Sequence, residues 1–252
     1  MARTHAEKLL TSLNARVSPK KGGSRRQQYS SATKRALVEK ATEQFSEHGY
    51  AGTSLDAIVA AARVTKGALY HHYSGKQALF EAVFAAVESD ASKGIRKALR
   101  GTKDPWEKAL AGLNAFLEVV QDPTYQRIVI QEGPAILGYE RFREHEERSS
   151  YNIVQDIVGS VLEASTYELD DPMKQTFSRI FFGAMSAAGE SVSTAPDPKA
   201  AVARIEAAIA FILEGLRGLA EQGITLTDPA AGSDETEDDE VASEEPEEAE
   251  DA

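Results

Sequence analysis

Hydrophobic residues recur at intervals of three and four along most of this 252-residue chain, and strictly alternating apolar and polar runs are nearly absent. Intervals of three and four place side chains on one face of a helix, whereas alternation is typical of strands. Proline stands in the first turn of several predicted helices, where its missing N–H leaves no bond unmade. The pattern therefore predicts an all-α protein, with helices over about residues 31–48, 76–99, 139–164, 171–192 and 198–222 and others opening at Asp104-Pro105 and Asp122-Pro123.

The stretch 53–76 has the pattern of two short helices joined by a tight turn. Leu55, Ile58 and Val59 give the first helix an apolar face, and Thr65 is available as the N-cap of the second helix. The outward residues of the second helix are small, cationic or hydrogen-bonding, which suits a helix laid in a DNA major groove. An ordinary helical hairpin gives a similar pattern, so periodicity alone leaves both interpretations open.

The flanking sequence resembles the amino-terminal domain of the TetR family of transcriptional repressors. The resemblance covers about residues 31–88, and it is carried by SATKRALVEKATEQFSEHGY (31–50), Thr53-Ser54 and LYHHYSGKQALF (69–80). It implies a three-helix helix-turn-helix head joined to a larger helical body for ligand binding and dimerisation. Arg63 stands where the family commonly has glycine, and an arginine at positive φ would be strained by about 1 kcal/mol.

The resemblance also implies which side chains meet DNA. Residues at the start of the second helix would lie at the groove, His71 would reach a base edge, and several neighbours would hold phosphates. The predicted DNA-binding residues are Lys34, Thr53, Ser54, Arg63, Thr65, Lys66, Gly67, Ala68, Tyr70, His71 and Lys76.

The net charge of −12 is unevenly distributed along the chain. Residues 1–80 carry 13 lysines and arginines against 5 acidic residues, whereas residues 234–251 carry 12 acidic residues and no basic one. A basic head beside an acidic remainder is typical of nucleic-acid binding. We therefore predict four segments: a basic disordered leader (1–30), the helix-turn-helix DNA-binding domain (31–76), a helical regulatory and dimerisation domain (77–226) and an acidic disordered tail (227–252).

Both predicted end segments allow two interpretations. The leader is either a solvated extension or an arm in which Arg25 and Arg26 touch the minor groove or the phosphates. The tail lacks aromatic residues and cannot bury enough surface to fold. It either improves solubility or competes with DNA for the basic head; in the second case, deleting residues 228–252 tightens non-specific DNA binding at low salt.

The body is expected to contain a ligand pocket and a dimer interface. The last two predicted helices are apolar nearly all round, which predicts either an intramolecular core or pairing with a second chain, and the family resemblance implies the second. The resemblance also implies a largely apolar pocket between the long helices. The candidate lining residues are Phe116, Tyr125, Ile128, Leu137, Phe142, Tyr151, Phe177, Phe181 and Met185.

No catalytic, cofactor or metal site is predicted. Phosphate-binding, dinucleotide-binding, nucleophile-elbow and zinc-protease motifs do not occur, and the chain has no cysteine. No apolar run of membrane-spanning length and no signal-peptide pattern occurs, so a cytoplasmic protein is expected. The predicted function is a homodimeric repressor that binds a palindromic operator in double-stranded DNA and is released by a small, largely apolar ligand. The alternatives are a non-sequence-specific, architectural DNA-binding protein and a helical-bundle enzyme or carrier.

Overall fold

The computed structural model describes residues 25–165, 167 and 169–224. The acidic tail and most of the basic leader lie outside this part of the chain. Within it every regular element is helical, as predicted. The α-helices are α1 Arg25–Gly52, α2 Leu55–Ala61, α3 Lys66–His72, α4 Lys76–Ala98, α5 Pro105–Val119, α6 Pro123–Tyr125, α7 Gly133–Leu137, α8 Tyr139–Arg148, α9 Ser150–Glu163, α10 Asp171–Thr194 and α11 Pro198–Glu221, with a π-helical segment, Gln126–Glu132, between α6 and α7.

Helix boundaries in the structure differ from those predicted from the sequence at three places. Helix α1 begins at Arg25, so residues 25–30 are helical and do not belong to a disordered leader. It also continues past residue 48, through a kink at Gly49 where φ is 72°. The long helix expected over 139–164 is interrupted at Ser149, whose φ of −119° and ψ of −85° are not helical, so it forms α8 and α9.

Aspartate caps and first-turn prolines begin four helices of the body. The carboxylates of Asp104, Asp122, Asp170 and Asp197 accept hydrogen bonds of 2.8, 2.8, 2.8 and 3.1 Å from backbone N–H groups three residues later. Such a bond satisfies an N–H that has no partner inside the helix, and proline in the same turn needs none. These caps explain why the starts of α5, α6, α10 and α11 are readable from the sequence.

Helix α4 joins the three-helix head to the body. Its first half packs on α1, and further along it contacts α5, α9 and the π-helical segment. Phe80 of α4 lies edge-on to Phe45 of α1, with ring centroids 5.3 Å apart, and both side chains are fully buried. The same apolar core continues through Phe84 into the body. Head and body therefore share one continuous core along α4.

The body is a helical bundle in which α9 packs against α5 and α10, and α11 packs against α5 and α10. These four helices, with α4, α8 and the π-helical segment, surround a partly open cavity. No helix in the described part of the chain combines the length and apolarity needed to cross a bilayer.

Candidate nucleic-acid interface and interior cavity

Helices α2 and α3 form the predicted hairpin, and each begins at a side-chain cap. The Ser54 hydroxyl accepts a hydrogen bond from the Ala57 N–H at 3.1 Å, and the Thr65 hydroxyl accepts one from the Ala68 N–H at 3.2 Å. Ser54 and Thr65 are exposed. Because a hydroxyl both accepts and donates, each can still donate its O–H to an external acceptor such as a phosphate oxygen.

Helix α3 is anchored on one side and exposed on the other. Leu69 is fully buried against the head core, whereas Lys66, Gly67, Tyr70 and His71 are exposed, with 57% of Tyr70 accessible. Ala68 is half-buried between the two sides. The outward side thus combines a cation, a phenol, an imidazole and a glycine. These groups can meet phosphates and base edges while the anchored side holds the helix in place.

Gly67 leaves open space on the outward side of α3. A Cβ atom added there would meet only the Thr65 hydroxyl oxygen, at 3.9 Å, which is an ordinary contact. Packing within the chain therefore does not require a glycine at this position. The absent side chain lets an external surface approach the helix backbone closely.

The cationic side chains around the hairpin differ in the contacts they make within the chain. The Lys66 ammonium forms an ion pair with Asp56 of α2 at 2.7 Å, and this hydrogen bond raises the pKa of Lys66. The Lys76 ammonium lies over the ring of Tyr50, 4.4 Å from its centroid. Lys34 is exposed near His72, whose pKa is lowered by burial first and then by the charges of His71 and Lys34. His72 is therefore neutral at neutral pH.

The body contains a partly open cavity of about 620 Å³, a volume typical of small-molecule sites. Its wall is mostly apolar and aromatic and includes Trp106 of α5. Six of the nine predicted pocket residues line it: Phe116, Tyr125, Phe142, Phe177, Phe181 and Met185.

Three predicted pocket residues do not line the cavity, so these predictions are wrong. Ile128 is fully buried, and Leu137 is 6% exposed, both within the main apolar core. Tyr151 packs edge-on against Phe182 at 5.5 Å and lies beneath the Arg179 guanidinium at 5.6 Å. The sequence shows that these residues are apolar or aromatic, but not whether they face a void or a neighbouring side chain.

One end of the cavity is lined by carboxyl groups that sequence reasoning missed. Glu88 of α4 and Glu146 of α8 lie there together with Ser150. Glu88 is 4% exposed, and its Oε2 atom has no hydrogen-bond partner. A signal was available in the sequence, because Glu88 interrupts the apolar stripe of α4 four residues after Phe84.

Comparisons with known proteins agree with this architecture. A model described as "Bacterial regulatory proteins, tetR family" matches residues 37–83, and one described as "Tetracyclin repressor-like, C-terminal domain" matches residues 106–216. Together the two models span more than half of the chain. The chain belongs to the TetR family. The family consists of bacterial regulatory proteins, and the match over residues 37–83 covers the helix-turn-helix head.

Two curated TetR-type regulators are similar to the head region. The transcriptional activator FasR of Mycolicibacterium smegmatis is 34% identical over 85 residues, which are 34% of this chain and 39% of FasR. The transcriptional repressor DhaR of Mycobacterium sp. strain GP1 is 35% identical over 85 residues, 34% of this chain and 42% of DhaR. The chain thus spans about 40% of the length of either relative.

A solved TetR-family structure extends the similarity to the body. The regulator from Pectobacterium atrosepticum superposes with a TM-score of 0.64 and is 28% identical, covering 75% of this chain and 95% of the other. The all-α fold with an amino-terminal helix-turn-helix head is the shared architecture.

Arg63 occupies the turn of this TetR head in the left-handed conformation that the family's usual glycine adopts freely. Its φ is 54°, and among the residues that the structure describes it is the non-glycine residue with a positive φ. The Arg63 N–H still donates to the Ala60 carbonyl at 3.1 Å, and the Val64 N–H donates to the Val59 carbonyl at 3.1 Å. The expected turn is therefore kept, at a strain of about 1 kcal/mol.

Thr53 has a different role from the one predicted in this TetR head. Its side chain is 3% exposed, and its hydroxyl donates to the carbonyls of Gln44 at 2.9 Å and Gly49 at 2.8 Å. A hydroxyl buried in this way is not presented to a phosphate, so the prediction that Thr53 contacts DNA through its side chain is wrong. Thr53 instead ties the end of α1 to the start of α2.

Proposed function

We propose that the chain acts as a homodimeric repressor that binds a two-fold-symmetric operator and is released by a small, largely apolar ligand. The observation that carries this proposal is the exposed side of α3, which presents Lys66, Gly67, Tyr70 and His71 on a helix anchored by Leu69. A rigid, outward, cationic helix in a helix-turn-helix head is the arrangement that reads a major groove.

The proposed roles follow the position of each side chain. Thr65, Lys66 and Gly67 lie at the groove, and His71 contacts a base edge. Lys34, Ser54, Tyr70 and Lys76 hold phosphates, while Arg63 and Ala68 border the contact. Lys66 must exchange its ion pair with Asp56 for DNA, which costs little because an ion pair between two exposed side chains is weak in water.

Exposed apolar side chains on the last two helices support the proposed dimer. Ile180 of α10 is 63% exposed, and Phe211 and Ile212 of α11 are 80% and 50% exposed. Gly183 and Ala187, which also are exposed, leave room for a helix to approach. A second copy that places the same two helices on this face would bury it as a four-helix bundle.

The cavity supports control by a ligand. Glu88 and Ile95 of α4 line it, and α4 is also the helix that enters the head. A ligand that binds one arrangement of α4 more tightly shifts the population toward that arrangement. In the dimer this changes the spacing of the two α3 helices, which must match successive turns of the groove.

The decisive experiment is selection of bound DNA from a random duplex pool by the full chain at physiological salt. A two-fold-symmetric consensus supports the proposed function. Retention of DNA without a consensus identifies an architectural, non-sequence-specific binder. No retention beyond that of a neutral control protein contradicts DNA binding by this head.

A further inference from the structure

The cavity combines an apolar wall with an end that carries uncompensated acidic groups. Glu88 and Glu146 lie at this end, exposed Glu190 of α10 also lines the cavity, and none of the described lining residues is a lysine, arginine or histidine. Glu88 is 96% buried, and one of its carboxyl oxygens has no hydrogen-bond partner. A buried carboxyl group without a partner is destabilising unless something else satisfies it.

Neighbouring side chains do not neutralise these carboxyl groups. Arg143 lowers the pKa of Glu146 in part, but its guanidinium is hydrogen-bonded to Glu147 at 3.2 Å. His145 does not line the cavity; its Nε2 atom lies 3.4 Å from Glu81, and its ring packs edge-on against Phe84. Ser149 and Ser150 lower the pKa of Glu88 in part, but they supply no charge, and the Ser149 hydroxyl lies 2.9 Å from that of Ser92.

The pKa values of the two groups reflect this environment. Burial, assisted by the charge of Glu146, raises the pKa of Glu88 to about 7, against the hydrogen bonds from Ser149 and Ser150. Burial also raises the pKa of Glu146 to about 7, against the charge of Arg143 and with that of Glu147. Both groups therefore bind protons more readily than ordinary carboxylates, and a cation placed beside them would favour their ionised forms.

Aromatic side chains line the cavity together with aliphatic ones; they include Trp106, Phe116, Phe142 and Phe181. Aromatic faces attract cations as well as apolar groups, most strongly where water is excluded. An apolar body with a positive head group would therefore satisfy both parts of the wall. A carboxylate ligand would instead meet acidic groups of its own sign.

We propose that the effector pocket takes an apolar, aromatic compound bearing one positive charge, with its cationic head held between Glu88 and Glu146. As an assignment of the effector class, this inference rests on the proposed ligand-controlled function. The chemistry of the cavity itself can be tested without DNA.

The test uses three probes with one phenylhexyl body and different heads: trimethylammonium, hydroxyl and carboxylate. Calorimetry on the full chain at pH 7.5 should show the ammonium probe binding about tenfold or more tighter than the alcohol, a difference of about 1.4 kcal/mol. The carboxylate should bind most weakly. Since a quaternary ammonium does not titrate, its affinity should rise between pH 6 and 8 as Glu88 and Glu146 ionise, with proton release on binding.

Glu88→Gln and Glu146→Gln should each reduce the preference for the ammonium over the alcohol and flatten its pH dependence. Glu144→Gln is the matched control, because Glu144 lies on the same helix as Glu146 but is exposed and paired with Arg148 at 3.6 Å. Equal affinity for ammonium and alcohol, tighter binding of the carboxylate, or no binding of the ammonium would overturn the inference.

Operator binding is measured on the same preparations, so the two failures can be told apart. If the ammonium preference holds but no operator is bound, the proposed regulatory function fails while the assigned pocket chemistry stands. If the operator is bound but the ammonium probe binds no more tightly than the alcohol, the assigned pocket chemistry fails while the proposed DNA binding stands.

Discussion

Glu88 makes the stability of the protein depend on pH even without a ligand. Its pKa is raised from 4.5 to about 7 by burial, so between these values the folded state binds more protons than the unfolded state. The free energy of unfolding therefore falls as pH rises through this range. Glu88→Gln removes the ionisable group, and we expect it to stabilise the protein by about 1–3 kcal/mol at pH 8 and by less at pH 5.

Urea denaturation of the wild type and the variant at pH 5, 6.5 and 8 measures this difference. Glu144→Gln, on the exposed side of α8, should leave the pH dependence unchanged. The slope that remains in Glu88→Gln combines Glu146, whose pKa is also raised to about 7, with His72, whose lowered pKa makes stability rise with pH. A Glu88→Gln variant with the wild-type slope would show that Glu88 is ionised in the folded protein at pH 5.

A substitution of Lys66 tests the proposed contact with the major groove, again at a single residue. If it reads a base, Lys66→Ala should weaken operator binding by about 1–3 kcal/mol and relax specificity at one base pair. Lys93→Ala is the matched control, because Lys93 is also exposed and also forms an ion pair, with Asp90 at 2.8 Å, but lies on α4 away from α3. An equal loss on operator and random DNA would assign Lys66 to a phosphate instead.

Residue types predicted some single positions and failed at others, for physical reasons. Arg63 stands where the family commonly has glycine, and this difference predicted a positive φ at the turn, because few residues other than glycine adopt positive φ without strain. Thr53 was misassigned because a hydroxyl suits a phosphate and a buried backbone carbonyl equally well. Its 3% exposure depends on where α1 ends, which the sequence leaves open.

At the scale of elements, the π-helical segment links the cavity to the kink of α1. Val129 and Ile130 line the cavity, and Glu132 at the end of the segment accepts two contacts from the Tyr50 N–H, at 2.9 and 3.1 Å. Tyr50 follows Gly49, where φ is 72° and an added Cβ atom would lie 2.7 Å from the Glu132 carboxylate. The segment therefore holds the end of the first head helix directly.

Glu132→Ala should leave the Tyr50 N–H without its charged acceptor and destabilise the protein by about 1.5–3 kcal/mol. Amide exchange at Tyr50 should accelerate along with it. Glu132→Gln keeps an amide oxygen in reach of the N–H and should retain most of the protection. Unchanged exchange at Tyr50 in the alanine variant would show that the kink is held by the core packing of Phe45 and Phe80 alone.

Element boundaries were predictable where a local cap marks them. The Asp-Pro pairs predict the starts of α5 and α6, because the aspartate cap and the proline both act within the first helical turn. The break at Ser149 and the π-helical segment have no such mark. The π-helical segment packs against α1, α4 and α10, and the Ser149 hydroxyl lies 2.9 Å from that of Ser92 on α4; periodicity along one helix does not encode such contacts.

At the scale of the whole molecule, the fold class and the helix-turn-helix head were predictable from the sequence. The residues that line the cavity were only partly predictable. Helical periodicity separates apolar from polar faces, and the resemblance orders the helices. Neither distinguishes a side chain that lines a void, such as Phe116, from one that packs in the core, such as Ile128. That distinction depends on the relative positions of helices far apart in sequence.

The exposed apolar face of α10 and α11 gives the prediction that concerns the assembly. Phe211 is 80% exposed there, and Phe211→Glu would place a charge inside the proposed four-helix interface. We expect this variant to sediment as a monomer and to lose about 100-fold or more in operator affinity, because its two heads no longer bind as one unit. Tyr139→Glu is the matched control, since Tyr139 is 74% exposed but lies on α8, outside this face. Its sedimentation and affinity should equal those of the wild type, whereas a Phe211→Glu variant that stays dimeric would place the interface elsewhere on the molecule.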